Sequence, residues 1–331
     1  MKKRILITGG AGYIGSHVTQ AFINNNFNVI IFDSFVGSDE TNVLKFKKNK
    51  NVKIITGDLR NKKSIDDAIK NNRIDFVIHL AALTSVPESL ANPGLYFENN
   101  LVGGLNLLES MVNNKVKKII YSSTCAVYGE PQYLPVDEQH PISPNNPYGE
   151  SKYMFEKMLN WYSKAYGVRY GTFRFFNVVG VDPKGIIGDS RINPDSLLCN
   201  LIDSNKKGKF FYKTFPKLNT NDGSPIRDFI DISDLVDAHL ATYDYLNQNG
   251  ENIILNLGTG KGISVKKAIE TVKKFLNKKI KIKEGKIRKE DTRSIYADSS
   301  LAKKILKWET KVNLDESIKN MVKWYNSRKD E

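Results

Sequence analysis

The stretch Arg4-Ile5-Leu6-Ile7-Thr8-Gly9-Gly10-Ala11-Gly12-Tyr13-Ile14-Gly15-Ser16-His17 carries the reading of this fold. A short apolar run passes directly into Gly9, Gly12 and Gly15, a G-x-x-G-x-x-G pattern that overlaps a G-x-G-x-x-G starting at Gly10. Spacing of this kind is weak by itself, because any tight strand-to-helix turn uses glycine for steric reasons. Here the pattern follows a strand-like run, opens a helix-like one, and is followed by Asp33, 18 residues after Gly15. Together these features form the fingerprint of a dinucleotide-binding turn. Glycines let the backbone approach a pyrophosphate, whose charge is met by free amides and the positive end of the helix dipole. Gly9, Gly12, Tyr13, Ile14 and Gly15 are therefore the first cofactor-binding candidates. A carboxylate at Asp33 accepts hydrogen bonds from both ribose hydroxyls and repels a 2′-phosphate. Ser34-Phe35-Val36-Gly37-Ser38 offers no arginine to receive that phosphate, so NAD is expected rather than NADP.

Outward from this turn, short apolar runs recur at Arg4–Thr8, Asn28–Phe32, Val52–Thr56, Phe76–Leu80, Lys118–Ser122 and Arg169–Phe173. Each is continuous rather than alternating, which points to strands covered on both faces. Helical patterns lie between them, near 14–25, 64–71, 95–113 and 147–166. Strand and helix in alternation mean βαβ units and a doubly wound parallel sheet of the Rossmann type. Beyond residue 175 the rhythm breaks, and 177–230, rich in Gly, Pro, Asn and Asp, reads as loops around a ligand. A return strand at Ile253–Leu257 and a helix from about Ser264 to Leu276 begin the rest of a smaller α/β lobe. The expected division is residues 1–175 for the cofactor and 176–331 for the substrate, interleaved through that return strand.

A chain of 331 residues with 40% hydrophobic and 26% charged residues has the composition of an ordinary globular protein. Chains of this length bury roughly three-quarters of their unfolded surface, so no covalent staple is needed. Cys125 and Cys199 are too few for a disulfide framework or a structural zinc site, and no metal is expected. The basic start is followed by an apolar run that glycine interrupts at once, unlike a signal peptide. No run approaches the roughly 18 apolar residues of a membrane span, so a cytoplasmic location is expected. The net charge of +14 is spread over lysines interleaved with asparagine, as on solvated faces. No zinc knuckle or aromatic RNA-binding motif accompanies it, so no nucleic-acid partner is expected. The charge also suits an anionic nucleotide substrate without being diagnostic of one.

Tyr148-Gly149-Glu150-Ser151-Lys152 is a Y-x-x-x-K. On a helix its two ends share one face, about 5–6 Å apart at Cβ. A free tyrosine titrates near pH 10 and is a poor base at neutrality. An ammonium beside it favours the phenolate. The pattern is common by itself. What gives it weight is Ser122-Ser123-Thr124-Cys125-Ala126-Val127-Tyr128-Gly129 at the end of the preceding strand. Ligands of α/β sheets lie outside the C-terminal ends of strands, so a hydroxyl there faces the tyrosine. Two further segments are open to two readings. Asp58 and Leu59, in Gly57-Asp58-Leu59-Arg60, either meet the cofactor's adenine or close their own turn. Leu80, Ala81 and Ala82 either run beside the cofactor or are small for packing.

The glycine loop, Asp58, Asn99-Asn100, Ser123-Thr124, Tyr148 with Lys152, and Phe175-Phe176-Asn177 resemble the extended short-chain dehydrogenase/reductase family. Within it, TGGAGYIGSH (8–17), SSTCAVYGEP (122–131), NPYGESK (146–152), NDGSPIRDFID (221–231) and NLGTGKGISV (256–265) are similar to the UDP-glucose 4-epimerase branch. The resemblance covers residues 3–326 and implies interconversion of UDP-galactose and UDP-glucose through a 4-keto sugar, on tightly bound NAD. It implies that Tyr148 takes the proton of the sugar 4-hydroxyl, that Thr124 orients the same oxygen, and that Lys152 anchors the nicotinamide ribose. It adds Asn100, Ser122 and Phe175 to the cofactor site. It assigns Asn177, Ser196, Leu197, Arg227, Arg288 and Asp291 to the nucleotide sugar, where arginine forks suit a diphosphate. It also implies a homodimer built on the helices at 95–113 and 147–166, whose apolar residues serve equally to cover the sheet.

Related dehydratases need an acid and a base directly after the Ser/Thr-Thr, and related decarboxylases keep a glutamate there. Cys125 and Ala126 stand in those places and can do neither task. A non-catalytic NAD-binding protein need not keep Thr124, Tyr148 and Lys152 together. Against the branch's pattern, Thr84 replaces a lysine and Asp231 a histidine. The segments 194–199 and 209–213 are altered, and Arg288-Lys289-Glu290-Asp291 replaces Arg-x-Gly-Asp. These departures leave the UDP-sugar open among hexose, N-acetylated, carboxylated and pentose forms.

Overall fold

The computed structural model describes residues 2–37, 40–191, 196–215, 217–276, 280–285 and 292–328. The first six strands are β1 (Arg4–Thr8), β2 (Asn28–Asp33), β3 (Val52–Thr56), β4 (Phe76–His79), β5 (Lys118–Ser122) and β6 (Arg169–Phe175). Short strands follow: β7 (Asn177–Val179), β8 (Phe211–Lys213), β9 (Ile226–Arg227) and β10 (Phe229–Asp231). The last four are β11 (Ile253–Leu257), β12 (Ile263–Ser264), β13 (Ile282–Glu284) and β14 (Ser294–Ile295). Seven of them form one sheet in the order β11-β6-β5-β4-β1-β2-β3, with every pairing parallel. The order reverses between β1 and β4, which opens a crevice at their C-terminal ends. The doubly wound sheet read from the sequence is thus present, and the return strand adds to its β6 edge.

Successive strand residues point to opposite faces, and both faces are dry. On one, Ile5, Ile7, Ile31 and Ile78 pack with Val18 and Phe22 of the Tyr13–Asn24 helix and with Leu235 and Ala238 of the Ile232–Asn247 helix. On the other, Leu6, Ile30, Val77 and Ile119 pack with Ile65, Leu107, Phe155 and Leu159 from the helices Lys62–Asn72, Gly103–Asn113 and Pro147–Tyr166. Each such fully buried aliphatic side chain contributes about 1.5–3 kcal/mol relative to exposure. A third core gathers Val179, Leu201, Ile269, Met321 and Trp324 from the later residues.

The Pro147–Tyr166 helix begins where the Asn146 side chain accepts a 2.8 Å bond from the Gly149 amide. It ends at Gly167, which adopts φ 67° as its left-handed cap. The helix expected over 95–113 is interrupted. Pro93–Tyr96 and Gly103–Asn113 are α-helical, but Phe97–Val102 widens into a π-turn. Such bulges reorient side chains that a regular helix would face elsewhere. The reading of 177–230 as loops is corrected too, because β7 to β10 and the Leu197–Lys206 helix lie there. Their strands are two or three residues long, too short for a periodic signal. Among the described residues no helix is long and apolar enough to cross a membrane.

Candidate active site

The glycine loop closes on itself and on β4. Gly9 adopts φ +71°, and a Cβ on it would stand 2.6 Å from the Ala81 nitrogen. A Cβ on Gly15 would stand 2.0 Å from the Gly9 carbonyl oxygen, so these two positions admit glycine alone. The Gly12 amide donates to Gly9 at 3.1 Å and Ser16 to Gly12 at 2.9 Å, which winds the loop into its helix. Tyr13 donates through its hydroxyl to the Gly180 carbonyl at 2.6 Å, while Ile14 packs half-buried against the core.

Asp33 is brought directly to this loop. One carboxylate oxygen accepts from the Ala11 amide and the other from the Phe35 amide, both at 2.9 Å. Burial pushes its carboxyl upward, and the backbone amides oppose that shift. Each oxygen keeps a lone pair for one more donor, as a ribose diol requires. A left-handed glycine, a glycine no side chain can replace, and a braced carboxylate make a cradle that fits a dinucleotide.

Asp58 closes its own turn, accepting from the Arg60 amide at 2.8 Å and from its guanidinium at 2.6 Å. The hydrogen bond from Arg60 holds its carboxyl below the usual range. Leu59 is buried, and its carbonyl accepts from Asn106 at 2.9 Å. Leu80, Ala81 and Ala82 are half-buried along the loop's flank. Asn100, on the π-turn, grips the next residue from both sides. It accepts from the Leu83 amide at 2.9 Å and donates to its carbonyl at 3.1 Å. It also donates to the Ser151 hydroxyl at 3.0 Å, joining the β4 end to the Y-x-x-x-K helix.

Past Ser122, Thr124 caps a short 3-10 turn over Cys125–Tyr128 by accepting from the Ala126 amide at 3.2 Å. The helix carrying Tyr148 approaches this turn closely, since a Cβ on Gly149 would lie 2.7 Å from the Ala126 carbonyl oxygen. Lys152 reaches back to the sheet and donates to the Ser122 carbonyl at 2.8 Å. Its ammonium lies 5.1 Å from the Tyr121 ring centre and 6.0 Å from that of Tyr148. Thr124, Tyr148 and Lys152 are all buried. Burial pulls the Lys152 ammonium down to about 7, with the Glu156 carboxylate pulling it back up.

Phe175 ends β6, half-buried against the core. Asn177 begins β7 with an exposed side chain, and its amide donates to the Asp228 carbonyl at 2.9 Å. Arg227, on β9, donates to the Thr292 carbonyl at 2.7 Å. Burial pushes the neighbouring Cys125 thiol up to about 12, and the Arg227 charge is the first to oppose it. Ser196 precedes the Leu197–Lys206 helix and its hydroxyl accepts from Arg191 at 3.4 Å, and Leu197 packs on the third core. Arg288 and Asp291 lie outside the described residues.

Residues 5–258 match the model of the NAD dependent epimerase/dehydratase family. The chain belongs to that family. The UDP-glucose 4-epimerase of Halalkalibacterium halodurans is 37% identical over 97% of this chain and 95% of its own length. The bifunctional UDP-glucose 4-epimerase and UDP-xylose 4-epimerase 1 of Pisum sativum is also 37% identical, over 97% of this chain and 95% of its own. The crystal structure of the Bifidobacterium longum UDP-glucose 4-epimerase in complex with NAD+ and UDP has a TM-score of 0.92 at 33% identity, covering 98% of both chains. In this member of the NAD dependent epimerase/dehydratase family, the matched span holds the glycine loop, Asp33, Thr124, Tyr148, Lys152 and Arg227.

One part of the site went unread in the sequence. Glu156 and Arg174 form a buried ion pair at 2.6 Å, and the Ser123 hydroxyl, next to Thr124, donates to Glu156. The signal that finds Glu156 is its place four residues after Lys152, on the same helix face.

Proposed function

We propose that this chain is an NAD-dependent 4-epimerase of UDP-sugars that interconverts UDP-galactose and UDP-glucose through a 4-keto intermediate. The observation that carries the reading is the placement of Lys152. Its ammonium donates to the Ser122 carbonyl at the end of β5, two residues before Thr124, and lies 6.0 Å from the Tyr148 ring centre. When bound, NAD supplies the acceptor and donor of hydride at C4. The glycine loop and Asp33 hold its pyrophosphate and ribose. Tyr148 takes the proton of the 4-hydroxyl and returns it, and Lys152 provides the cation that favours the phenolate. Thr124 donates to the same sugar oxygen and keeps it in line with Tyr148. Asn177, Ser196, Leu197 and Arg227 receive the nucleotide end, with Arg227 donating to the diphosphate. Cys125 and Ala126 offer no acid or base for elimination, so the sugar keeps its other hydroxyls.

This reading puts the chain in nucleotide-sugar and galactose metabolism. It works as a homodimer through the helical face that exposes Leu95, Val102, Leu105, Trp161 and Tyr166. The test is proton NMR of UDP-galactose incubated with purified protein and no added NAD. Conversion to UDP-glucose, lost in Tyr148→Phe, supports the reading. No conversion by folded protein of UDP-galactose or of N-acetylated, uronic or pentose UDP-sugars, even with NAD added, overturns it.

A further inference from the structure

The Glu156–Arg174 ion pair takes no part in the proton and hydride transfers of the proposed reaction. Glu156 follows Lys152 by about one helical turn. Its carboxylate accepts from Arg174 of β6 at 2.6 Å from Nη2 and 3.1 Å from Nε. Both side chains are 5% exposed or less. Taking two charges out of water is costly, and an apolar pair of equal volume often serves stability as well or better. The native pair differs from an apolar one in what it hydrogen-bonds, the hydroxyls of Ser123 and Tyr128.

It touches both ends of the catalytic turn. The Ser123 hydroxyl donates to Glu156 Oε1. Ser123 lies between Ser122, whose carbonyl holds Lys152, and Thr124. From the other side of the pair, Arg174 Nη1 donates to the Tyr128 hydroxyl at 3.1 Å, and Tyr128 donates to Asn256 Oδ1 at 2.7 Å. Thr124 to Val127 are thus suspended between two residues that answer to one ion pair.

We propose that Glu156 is a positioning residue of the epimerase, holding the Ser123–Thr124 turn beneath Tyr148 and keeping a negative charge one turn from Lys152. The proposal rests on the 4-epimerase reading, because Glu156 acts through Thr124 and Lys152 and touches no substrate.

The electrostatic surroundings agree with it. Lys152 faces Tyr148 on its own helix, Tyr121 from β5 and His79 from β4. Burial, aided by the Lys152 charge, lowers His79 to about 3, so that imidazole is neutral. Glu156 faces Arg174 and Tyr170 from β6, Tyr121 from β5, and Ser123. Burial raises both tyrosines, which leaves them uncharged near neutrality. Glu156 is the anion that opposes the effect of burial on Lys152. Without it Lys152 releases its proton at lower pH, and the state with ammonium and phenolate together covers a narrower range.

The experiment compares NAD-loaded wild type with Glu156→Gln, Glu156→Asp and the neutral double variant Glu156→Gln/Arg174→Gln. Two quantities are read, the kcat–pH profile on UDP-galactose and the 13C NMR titration of Cε-labelled lysine, with Lys152 assigned through Lys152→Met. The double variant leaves no buried charge unpaired, so it carries the test where Glu156→Gln fails to fold. In the charge-neutral variants, kcat at pH 7 is expected to fall about tenfold or more. Their alkaline limb and the Lys152 midpoint should both move about one pH unit toward acid. Glu156→Asp keeps the charge and the wild-type midpoint but loses kcat through the slackened Ser123 contact. Unchanged midpoint and limb in the neutral variants, with kcat lowered equally at every pH, would reduce Glu156 to a structural residue. Full kcat in any of the three overturns the proposal as well. A wild type that turns over no UDP-sugar sinks the epimerase reading instead, and the lysine titration still reports on Glu156 without turnover.

Discussion

The Lys152 ammonium donates a 2.8 Å hydrogen bond to the carbonyl of Ser122, the last residue of β5. A cation on a helix is thereby fixed to the end of a sheet, where an α/β fold presents its ligands. The same ammonium lies 6.0 Å from the centre of the Tyr148 ring, and in the proposed reaction it favours the phenolate.

Tyr148→Phe removes one hydroxyl and leaves the ring packed near Tyr96. The expected result is a loss of about 10²–10⁴-fold in kcat with bound NAD retained. Turnover assays, with release of the cofactor by heat, check both halves.

Lys152→Met should separate stability from activity. Burial lowers the Lys152 ammonium from 10.5 to about 7 in the folded chain. Between those values the unfolded chain binds more protons, so this residue makes stability rise with pH across that window. The methionine variant is therefore expected to abolish turnover yet raise the apoprotein's Tm by a few degrees at and below pH 7. The gain fades toward pH 10. Calorimetry of both apoproteins at several pH values reads this directly, and a gain that grows with pH would contradict it.

Asp33 braces the glycine loop and keeps a lone pair on each oxygen for a further donor, the ribose diol in the proposed function. Asp33→Asn keeps the size and loses the charge. NAD affinity of the apoprotein should fall about 10–100-fold while the preference against NADP narrows. Calorimetric titration with each dinucleotide decides it.

Gly15→Ala sets a methyl 2.0 Å from the Gly9 carbonyl oxygen, whereas a Cβ on Gly37 meets nothing within 4 Å. The first variant is expected to lose its bound NAD on purification and the second to keep it. Cofactor content of the two purified proteins is the check.

The doubly wound sheet and its glycine loop were legible because each local signal agreed with the others. Ile5, Ile7, Ile31 and Ile78 read as buried strand residues, and the glycine spacing and Asp33 stood where the turn needs them. The Y-x-x-x-K was legible because the Ser122–Thr124 segment precedes it. Other features were not. The π-turn at Phe97–Val102 inserts within an apolar helical pattern and leaves the periodicity almost untouched. The Ile232–Asn247 helix goes unread although Asp231 caps it, accepting from Ser233 at 2.8 Å. That bond also shows what the aspartate in place of a histidine does. Glu156 and Arg174 drew no reading from the sequence, because their pairing is set by the packing of β6 under the helix. Arg288 and Asp291 lie outside the described residues.

In the proposed reaction, hydrogen leaves C4 of the sugar and returns to the same carbon on its other face, with Tyr148 moving the hydroxyl proton. UDP-galactose deuterated at C4, incubated in ordinary water with the purified protein, follows that hydrogen. The expected product is UDP-glucose that keeps its deuterium at C4, with no label lost to solvent and no added NAD required. Product bearing solvent hydrogen at C4, or a dehydrated sugar, would contradict it.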